Sequence, residues 1–417
     1  MKKKVLVVED SVTIQKLIDM YIGYFAPYET IYLSSLAETE SLLEQDNVTE
    51  YICAILDLTL PDSAHGEILD LVNTYNIPII ILTASMERAI NITIEFSHVI
   101  DYVQKRNIHE LEHVALKVKE LYLNQFTKVL VVDDSKSFVS HIKRMLDKIN
   151  LEVLTAYDGV QAWQCIKENP DLSLVITDLN MPNMNGLELL EKIRQKYKRD
   201  EISVVGISAE SEKDTAMKFL KNGANDFISK PPMMEELYCR VQNTINELRY
   251  IDTIKQLATT DHLTKLINRR EFMVKGKTLY EESVKNNKVI AVAMIDADNF
   301  KGVNDHFGHD GGDVVLVKLA NVIQSCLPEG ALFARYGGDE MVCMAQVESR
   351  EFAEKMFERV RRSVQDADIN FKMKLINVTV SIGFTTGYGD RLESMITNAD
   401  RALYAAKENG RNCVMVV

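Results

Sequence analysis

The chain of 417 residues repeats itself once, and this repeat constrains its fold more than any other feature. Four short apolar segments with polar ends occur twice in the same order. The first copy reads VLVVED, AILDLTLPD, IIILTAS and YVQK, and the second reads VLVVDD, LVITDLNMP, VVGISA and FISK. Helical patterns lie between the segments, so each copy is predicted to be a doubly wound α/β domain with a parallel sheet.

The polar ends of these segments carry a coherent chemistry, because functional groups of such sheets collect at the carboxyl ends of the strands. An acidic pair and a third acid can hold Mg²⁺ and let the third acid accept a phosphoryl group. A hydroxyl and a lysine can then bind the added oxygens. A solvated strand end would explain any one of these residues, but not matched roles repeated twice. The residues are Glu9, Asp10, Asp57, Thr83 and Lys105, and Asp133, Asp134, Asp178, Ser208 and Lys230.

On these residues, both copies resemble the receiver domains of two-component systems, which have a flavodoxin-like fold. The resemblance implies Asp57 and Asp178 as phosphoacceptors, one Mg²⁺ per domain, and a histidine kinase or phosphotransfer protein as partner. Tyr102 and Phe227 match the family's switch aromatic. The second copy has the family's Lys-Pro pair, whereas the first has Lys105-Arg106 and one extra residue before Gly66. We therefore favour Asp178 as the working phosphosite, while the intact Asp57 leaves a purely structural first receiver unestablished.

A long helix is predicted from Glu235 to about Thr260, where the sequence has no proline or glycine. Its apolar residues recur every three or four positions. This stripe packs on its own domains or pairs with a symmetry mate in a dimer, and the pattern leaves both alternatives open. The stripe consists of Leu237, Val241, Ile245, Leu248, Ile251, Ile254 and Leu257.

Beyond this helix, three carboxylates are predicted to come together. An apolar strand ends at Asp296, and Gly337-Gly338 suits a tight hairpin turn that presents Asp339 and Glu340. Three carboxylates from adjacent elements are what a two-Mg²⁺ phosphoryl-transfer site requires. Taken singly, Asp339 and Glu340 would be better explained as an exposed turn.

The surrounding residues favour a nucleotide site. The glycines of IDADNFKGVNDHFGHDGGD fit a backbone that wraps around a nucleotide, in which Asn304 and Asp313 could read guanine and Lys301 could contact phosphates. Near the C-terminus, a helix closed by Gly410 carries Lys407 in its last turn and Arg411 just beyond. Lys407 is also an ordinary complement to the helix dipole.

Together these segments resemble the GGDEF family of diguanylate cyclases. The matching motifs are DHLTKLINRR, DADNFKGVNDHFGHDGGD, RYGGDEM and YAAKENGRN. The resemblance implies a palm-like α/β domain that condenses two GTP into cyclic di-GMP in a homodimer, with two Mg²⁺ per active site. It assigns the metals to Asp296, the Ala297 carbonyl, Asp339 and Glu340. It assigns guanosine to Asn304, His309 and Asp313, and the phosphates to Lys301, Lys407 and Arg411.

The predicted organisation is a first receiver at 1–124, a second at 125–244, a linking helix at 235–260 and a GGDEF domain at 261–417. Two positions depart from the family pattern. Met341 replaces phenylalanine in the signature, and we expect it to be an inward-facing strand residue. The family's inhibitory RxxD is replaced by Pro328-Glu329-Gly330-Ala331, which predicts no product inhibition through that site.

Composition excludes some functions. The formal net charge of −13 argues against an output that binds duplex DNA, which usually needs a basic face. No apolar run reaches membrane-spanning length, and the six scattered cysteines are expected to be buried and reduced, so the protein is expected in the cytoplasm without membrane insertion. Two alternatives remain. A non-enzymatic GGDEF scaffold would lack an acid at 296, 339 or 340, and an adenine-using cyclase is opposed by Asp313.

Overall fold

The structure is a computed structural model that describes residues 3–23, 27–83, 98–105, 108–209, 213–387 and 391–417. It has two compact units, Met1–Tyr250 and Ile251–Val417. Both are mixtures of helices and sheets, which confirms the predicted α/β class. Within the described residues, no helix is both long and apolar enough to span a bilayer.

The first copy forms a five-stranded parallel sheet in the order β2-β1-β3-β4-β5. The strands Lys4–Val8, Tyr51–Asp57 and Ile79–Thr83 are almost continuously apolar, as is typical of a parallel sheet with both faces covered by helices. The strands are β1 (Lys4–Val8), β2 (Glu29–Leu33), β3 (Tyr51–Asp57), β4 (Ile79–Thr83) and β5 (Val99–Gln104). The helices are α1 (Val12–Ile22), α2 (Leu36–Gln45), α3 (Glu67–Thr74) and α4 (Ile108–Asn124).

The second copy has the same topology, with its parallel strands in the order β10-β9-β8-β6-β7. The helix Gly186–Lys196 begins with a capping box, in which Asn185 and Glu188 satisfy each other's backbone N–H groups. The strands are β6 (Lys128–Val132), β7 (Glu152–Ala156), β8 (Leu172–Asp178), β9 (Ser203–Ala209) and β10 (Asp226–Lys230). The helices are α5 (Lys136–Asp147), α6 (Gly159–Glu168), α7 (Gly186–Lys196), α8 (Lys213–Lys221) and α9 (Met234–Thr259).

The two copies pack together within the first unit. One cluster of buried apolar side chains includes Ile52 of the first copy and Val241 of the second. Across the same boundary, Asn150 donates its Nδ2 hydrogen to the Ile52 carbonyl at 2.9 Å, and Asn124 donates to Gln242 Oε1 at 3.0 Å. The copies therefore share one core and a set of buried polar contacts.

Helix α9 confirms the predicted long helix. Leu237, Val241 and Ile245 are buried, so this half of the stripe packs on its own domain. Ile254 and Leu257 are 65% and 72% exposed. The stripe thus divides between the two alternatives: its first half belongs to the core, and its second half stays accessible.

The second unit is built on a six-stranded mixed sheet, in the order β11-β13-β14-β12-β17-β18. Its central strand, β12, is antiparallel to both β14 and β17. The strands are β11 (Ile267–Asn268), β12 (Ile290–Ala297), β13 (Leu332–Gly337), β14 (Glu340–Gln346), β17 (Val380–Gly387) and β18 (Val414–Val416), and a separate hairpin joins β15 (Ile369–Phe371) to β16 (Lys374–Ile376). The helices are α10 (Arg269–Lys285), α11 (Phe300–Cys326), α12 (Arg350–Gln365) and α13 (Leu392–Glu408).

Two smaller predictions are tested by burial. Met341 is 1% exposed on β14, which confirms that it faces the core. All six cysteines are free thiols, but only Cys53, Cys326 and Cys343 are buried. The prediction of burial was wrong for the exposed Cys239, because this residue lies on a face of α9 that the core does not cover.

Candidate functional site

The second copy brings its three predicted acids together at one edge of the sheet. Asp133 and Asp134 follow β6, and Asp178 ends the neighbouring strand β8. Each offers a carboxylate oxygen within 4.8 Å of the others. Hard carboxylate oxygens at this spacing suit a Mg²⁺ ion.

Lys230 closes this acidic cluster. Its Nζ atom forms ion pairs with Asp133 and, at 3.0 Å, with Asp178. Burial raises the pKa of Asp178 above its ordinary value, and the charge of Asp133 adds to this rise, while the bond from Lys230 opposes it. Lys230 therefore does not fully offset the burial of the Asp178 carboxylate, and a divalent ion would supply the remaining positive charge.

The predicted sensing residues lie on the adjacent strands. Ser208 is 2% exposed near the end of β9, and Lys230 lies beside Ala209 in the register of β9 and β10. Phe227 is half-buried, with its ring centroid 6.0 Å from that of Phe219. The Lys230-Pro231 peptide bond is cis.

The first copy repeats the arrangement with a glutamate in the acidic pair. Glu9, Asp10 and Asp57 meet within 4.8 Å, and Lys105 Nζ lies 2.6 Å from Glu9 and 2.7 Å from Asp57. Burial raises the pKa of Glu9, because Lys105 only partly compensates the desolvation. Thr83 ends β4 and is 4% exposed, and Tyr102 is half-buried on β5.

In the second unit, the end of β12 and the signature hairpin lie side by side. Asp296 is 6% exposed and pairs directly with Glu340 in the antiparallel register of β12 and β14. Asp339 stands in the turn between β13 and β14, where Gly338 has φ of 52°. Glycine adopts this left-handed conformation without a steric penalty, so Gly338 suits the turn.

Helix α13 brings a cation to the same place. Lys407 Nζ lies 2.8 Å from Asp296 Oδ2. Burial raises the pKa of Asp296, the charges of Asp339 and Glu340 raise it further, and the bond from Lys407 lowers it. Arg411 follows Gly410 just beyond the helix and is exposed.

The three carboxylates of this site are less tightly grouped than those of the two copies. Among the described residues, the sets of three acids whose ligand atoms all lie within 4.8 Å are the two in the first unit. Asp296, Asp339 and Glu340 therefore stand further apart. Their oxygen donors still fit Mg²⁺, and the raised pKa of Asp296 indicates an anion that a cation would stabilise. Ala297, the remaining predicted ligand, is the buried last residue of β12.

The predicted nucleotide segment differs from the expected wrapping loop. It is helical from Phe300 onward, and only Gly308, with φ of 74° and ψ of 173°, interrupts α11. The glycines of the helix allow close packing instead. A Cβ at Gly312 would lie 2.0 Å from Asn304 Oδ1, so the amide side chain of Asn304 lies against the backbone there.

The other predicted substrate residues line the surface of α11. Lys301, His309 and Asp313 are exposed, and Asn304 is half-buried. Asp313 and Leu263 lie on the wall of a cavity of about 340 Å³. A carboxylate beside an apolar wall suits a flat base that offers hydrogen-bond donors.

Sequence reasoning missed one structural link in this site. Arg335 donates from Nη1 to both carboxylate oxygens of Asp261 at 3.1 Å, and from Nε to the Gly338 carbonyl at 2.9 Å. Desolvation alone would raise the pKa of Asp261, but hydrogen bonds from Thr264 and Arg335 lower it overall. The signature turn is thus held by an ion pair between Arg335 and Asp261, which belong to two different motifs of the family. The presence of both motifs was the only signal of this contact in the sequence.

Comparisons with known proteins agree with this geometry. Residues 258–413 match the family described as diguanylate cyclase, GGDEF domain, and residues 129–242 match the response regulator receiver domain. The crystal structure of a two-component response regulator/GGDEF domain protein is similar, with a TM-score of 0.53 and 34% identity over 60% of this chain and 100% of that one. The chain is a receiver–GGDEF protein.

Two curated relatives have similar sequences. Response regulator PleD of Caulobacter vibrioides is 30% identical over 299 residues, 69% of the receiver–GGDEF chain and 65% of PleD. Diguanylate cyclase A of Treponema denticola is 39% identical over 165 residues, 38% of the chain and 44% of that protein. The receiver–GGDEF chain thus spans about two thirds of PleD and less than half of the Treponema enzyme.

Proposed function

We propose that this receiver–GGDEF protein is a phosphorylation-regulated diguanylate cyclase, which condenses two GTP into cyclic di-GMP and two pyrophosphates in a homodimer. The observation that carries the proposal is the pairing of Asp296 with Glu340 beside the Asp339 turn, with Lys407 at 2.8 Å from Asp296. This arrangement offers carboxylates for metals and a cation for phosphates at one strand end.

The proposed reaction joins the 3′-oxygen of each GTP to the α-phosphorus of the other, and each of the two bonds formed breaks one bond to pyrophosphate. Mg²⁺ bound by Asp296, the Ala297 carbonyl and Asp339 would offset the triphosphate charge. Glu340 assists at the metals or takes the proton of the 3′-hydroxyl. Lys301, Lys407 and Arg411 bind phosphate oxygens, and pyrophosphate leaves as an anion that they stabilise.

The base is proposed to bind at Asn304, His309 and Asp313. The Asp313 carboxylate would accept hydrogen bonds from N1–H and the exocyclic amine of guanine. Adenine presents a lone pair at N1, which would face the same carboxylate without a bond. Each domain holds one GTP, so a second copy of the chain must supply the other.

Regulation is proposed to act through the receiver in the second copy. A histidine kinase or phosphotransfer protein would phosphorylate Asp178, with Mg²⁺ at Asp133 and Asp134, and Ser208 and Lys230 would contact the phosphoryl group. We infer that the first copy is a second receiver, since it shares the sheet order and the acidic cluster. Because these phosphodonors and GTP are cytoplasmic, the proposal puts the protein in that compartment.

The same proposal includes the absence of product inhibition at the family's RxxD position. Pro328–Ala331 forms a tight turn, in which the Ala331 N–H bonds to the Pro328 carbonyl at 3.2 Å and Gly330 has φ of 79°. Neither an arginine nor an aspartate stands in it. Unchanged rates on adding cyclic di-GMP would support this, and inhibition abolished by altering the turn would contradict it.

The decisive test is product identification by chromatography. Purified protein is incubated in Mg²⁺ with GTP, ATP or both, with and without beryllofluoride as a phosphoryl mimic. We expect cyclic di-GMP from GTP alone, no adenine-containing product, and a higher rate with beryllofluoride. A well-folded protein that makes no dinucleotide under any of these conditions would refute the proposal.

A matched pair of variants tests the site. Asp339→Ala should lower the rate of cyclic di-GMP synthesis by at least about a thousandfold, because a metal-binding carboxylate is lost. Light scattering should still detect a folded dimer. Asp368→Ala removes an exposed carboxylate outside the site and should leave the rate unchanged. Cyclic di-GMP synthesis retained by Asp339→Ala would contradict the assignment.

A further inference from the structure

One buried carboxylate of the second unit has no part in the reaction as proposed. Asp298 lies one residue beyond β12 and is 8% exposed. Its Oδ1 accepts a hydrogen bond from Ser381 Oγ at 2.6 Å, and its Oδ2 accepts from Thr379 Oγ1 at 2.7 Å. Oδ2 also accepts from the backbone N–H of Asn412 at 3.0 Å. All three partners donate, which matches the acceptor-only character of a carboxylate.

The third of these bonds reaches the turn that follows α13. Gly410, Arg411 and Asn412 have φ of 97°, 63° and 45°, so three successive residues lie in the left-handed region. Arginine rarely adopts this conformation, and surrounding contacts must hold it there. Inside the turn, the Arg411 N–H bonds to the Ala406 carbonyl at 3.2 Å.

The turn is held from two sides. Asp298 binds the Asn412 backbone from the side of the sheet. From helix α12, Arg361 donates to Asn412 Oδ1 at 2.8 Å, and Gln365 accepts from Asn412 Nδ2 at 3.1 Å. The position of Arg411, between these anchors, therefore depends on the Asn412 backbone beside it.

Asp298 also connects this turn to the strand end that carries Asp296. Its backbone N–H bonds to the Thr379 carbonyl at 2.9 Å, and Ser381 is the register partner of Asp296 on β17. One carboxylate thus joins the end of β12, the start of β17 and the turn after α13. These elements carry the proposed metal ligand and the proposed phosphate-binding arginine.

We propose that Asp298 is a positioning residue that fixes Arg411 relative to Asp296, so that the arginine meets the triphosphate of GTP. The inference rests on the proposed function. In this role Asp298 hydrogen-bonds to the turn and contacts neither metal nor substrate. Loss of the bond to Asn412 lets the left-handed turn relax and carries Arg411 away from the phosphates. Substrate binding then weakens more than the chemical step slows.

The test compares steady-state kinetics of Asp298→Ala, Asp298→Asn and Arg411→Ala with those of the unaltered protein. Asp298→Ala should raise KM for GTP about tenfold, with kcat changed less than about threefold, which is the size expected for one buried hydrogen bond. Asp298→Asn keeps an acceptor for the Asn412 N–H, so its KM should stay within about threefold of the value for the unaltered protein. Calorimetric titration with the α-thio analogue of GTP measures the same loss as affinity.

A double-mutant cycle decides whether Asp298 acts through Arg411. In the Arg411→Ala background, Asp298→Ala should add less than about a twofold change in KM, because the residue that it positions is gone. If the double variant changed KM by the product of the two single effects, the inference would be overturned. An Asp298→Ala protein with the KM of the unaltered chain would overturn it as well. If the unaltered chain itself makes no cyclic di-GMP, it is the proposed function that fails.

Folding is checked separately by thermal melting. If Asp298→Ala does not melt cooperatively, the combined Thr379→Val and Ser381→Ala variant replaces it. This variant removes the two hydroxyl groups that donate to Asp298 and hold its carboxylate in place. KM should therefore rise about threefold at constant kcat. An unchanged KM in this variant overturns the inference in the same way.

Discussion

The two copies of the first unit share a sheet order and an acidic cluster closed by a lysine, but their loops after the third acid differ. In the second copy, the Gly186 N–H bonds to the Leu179 carbonyl at 2.9 Å, and a Cβ at 186 would lie 2.0 Å from the Asp178 carbonyl oxygen. In the first copy, Gly66 has φ of 94°, and the nearest atom to a Cβ built at this position would be Leu69 Cδ1 at 3.8 Å. The acidic cluster thus tolerates either loop, whereas close packing of the loop on the phosphoacceptor backbone occurs in the second.

In each copy, burial raises the pKa of one acid of the cluster. In the first, burial raises the pKa of Glu9, a member of the acidic pair. In the second, it raises the pKa of Asp178, the proposed phosphoacceptor itself. A metal ion and a phosphoryl group would change the charge balance most directly at Asp178. The close packing of the Gly186 loop on the Asp178 backbone favours the second copy as the regulatory one.

The largest expected effect is on activation. Asp178→Asn should remove the response of cyclic di-GMP synthesis to beryllofluoride, because the mimic binds the phosphoacceptor carboxylate. Asp57→Asn, the matched change in the first copy, should keep most of the response. Rates with and without beryllofluoride measure both. A full response in Asp178→Asn would transfer the role to Asp57 and reverse the comparison.

The next effect is on folding. Gly186→Ala puts a methyl group into the Asp178 backbone and should lower the free energy of unfolding by about 3 kcal/mol or more, as overpacking against backbone does. Gly66→Ala meets no close atom and should cost about 1–2 kcal/mol for its left-handed conformation. Urea unfolding followed by circular dichroism compares the two. Equal losses would mean that the loops are packed alike.

Much of this architecture could be predicted from local pattern. The apolar strand segments, the helix at Met234–Thr259 and the Gly338 turn follow from short-range sequence, and the repeat itself brings the acids of each copy to one sheet edge. The helical start of α11 could not be predicted, because its glycines favour a loop locally. Their role becomes visible only through tertiary packing, such as Asn304 against Gly312.

Two contacts of the second unit could not be predicted from the sequence, and the physical reason is the same for both. Arg335 and Asp261 are separated by 74 residues, and Asp298 and Asn412 by 114. Nothing in the spacing of such residues along the chain indicates a contact, because the fold alone brings them together. The strand-end position of Asp296, by contrast, follows from an apolar run, and its neighbour Glu340 follows from the hairpin.

A smaller effect concerns stability and pH. The pKa of Asp178 is raised in the folded state above the ordinary aspartate value of about 3.9. Between these two pKa values, the folded chain binds more protons than the unfolded chain. Stability from this group therefore falls as pH rises through that window, and the loss is complete above the raised pKa. Without Mg²⁺ at pH 7, Asp178→Asn should melt a few degrees higher than the unaltered protein.

The gain should shrink toward acid pH, where Asp178 is protonated in both states. Glu9→Gln should behave in the same way in the first copy, since burial raises the pKa of Glu9 as well. Asp134→Asn changes an exposed acid and serves as the control, with an unchanged melting temperature. A lower melting temperature for Asp178→Asn would mean that its ion pair with Lys230 outweighs burial.

The smallest effect tests how the copies are joined. Asn150 and Asn76 have similar left-handed backbones, with φ of 62° and 56°. Asn150 donates across the boundary to the Ile52 carbonyl at 2.9 Å, and no such bond from the Asn76 side chain is seen among the described residues. Glycine accepts this conformation in both places, so Asn76→Gly should change the free energy of unfolding by less than about 0.5 kcal/mol. Asn150→Gly loses the hydrogen bond as well and should cost about 1 kcal/mol more. Because the backbone effect cancels between the variants, the difference in their urea midpoints reports the Asn150 contact between the copies. Equal midpoints would mean that this hydrogen bond does not stabilise their packing.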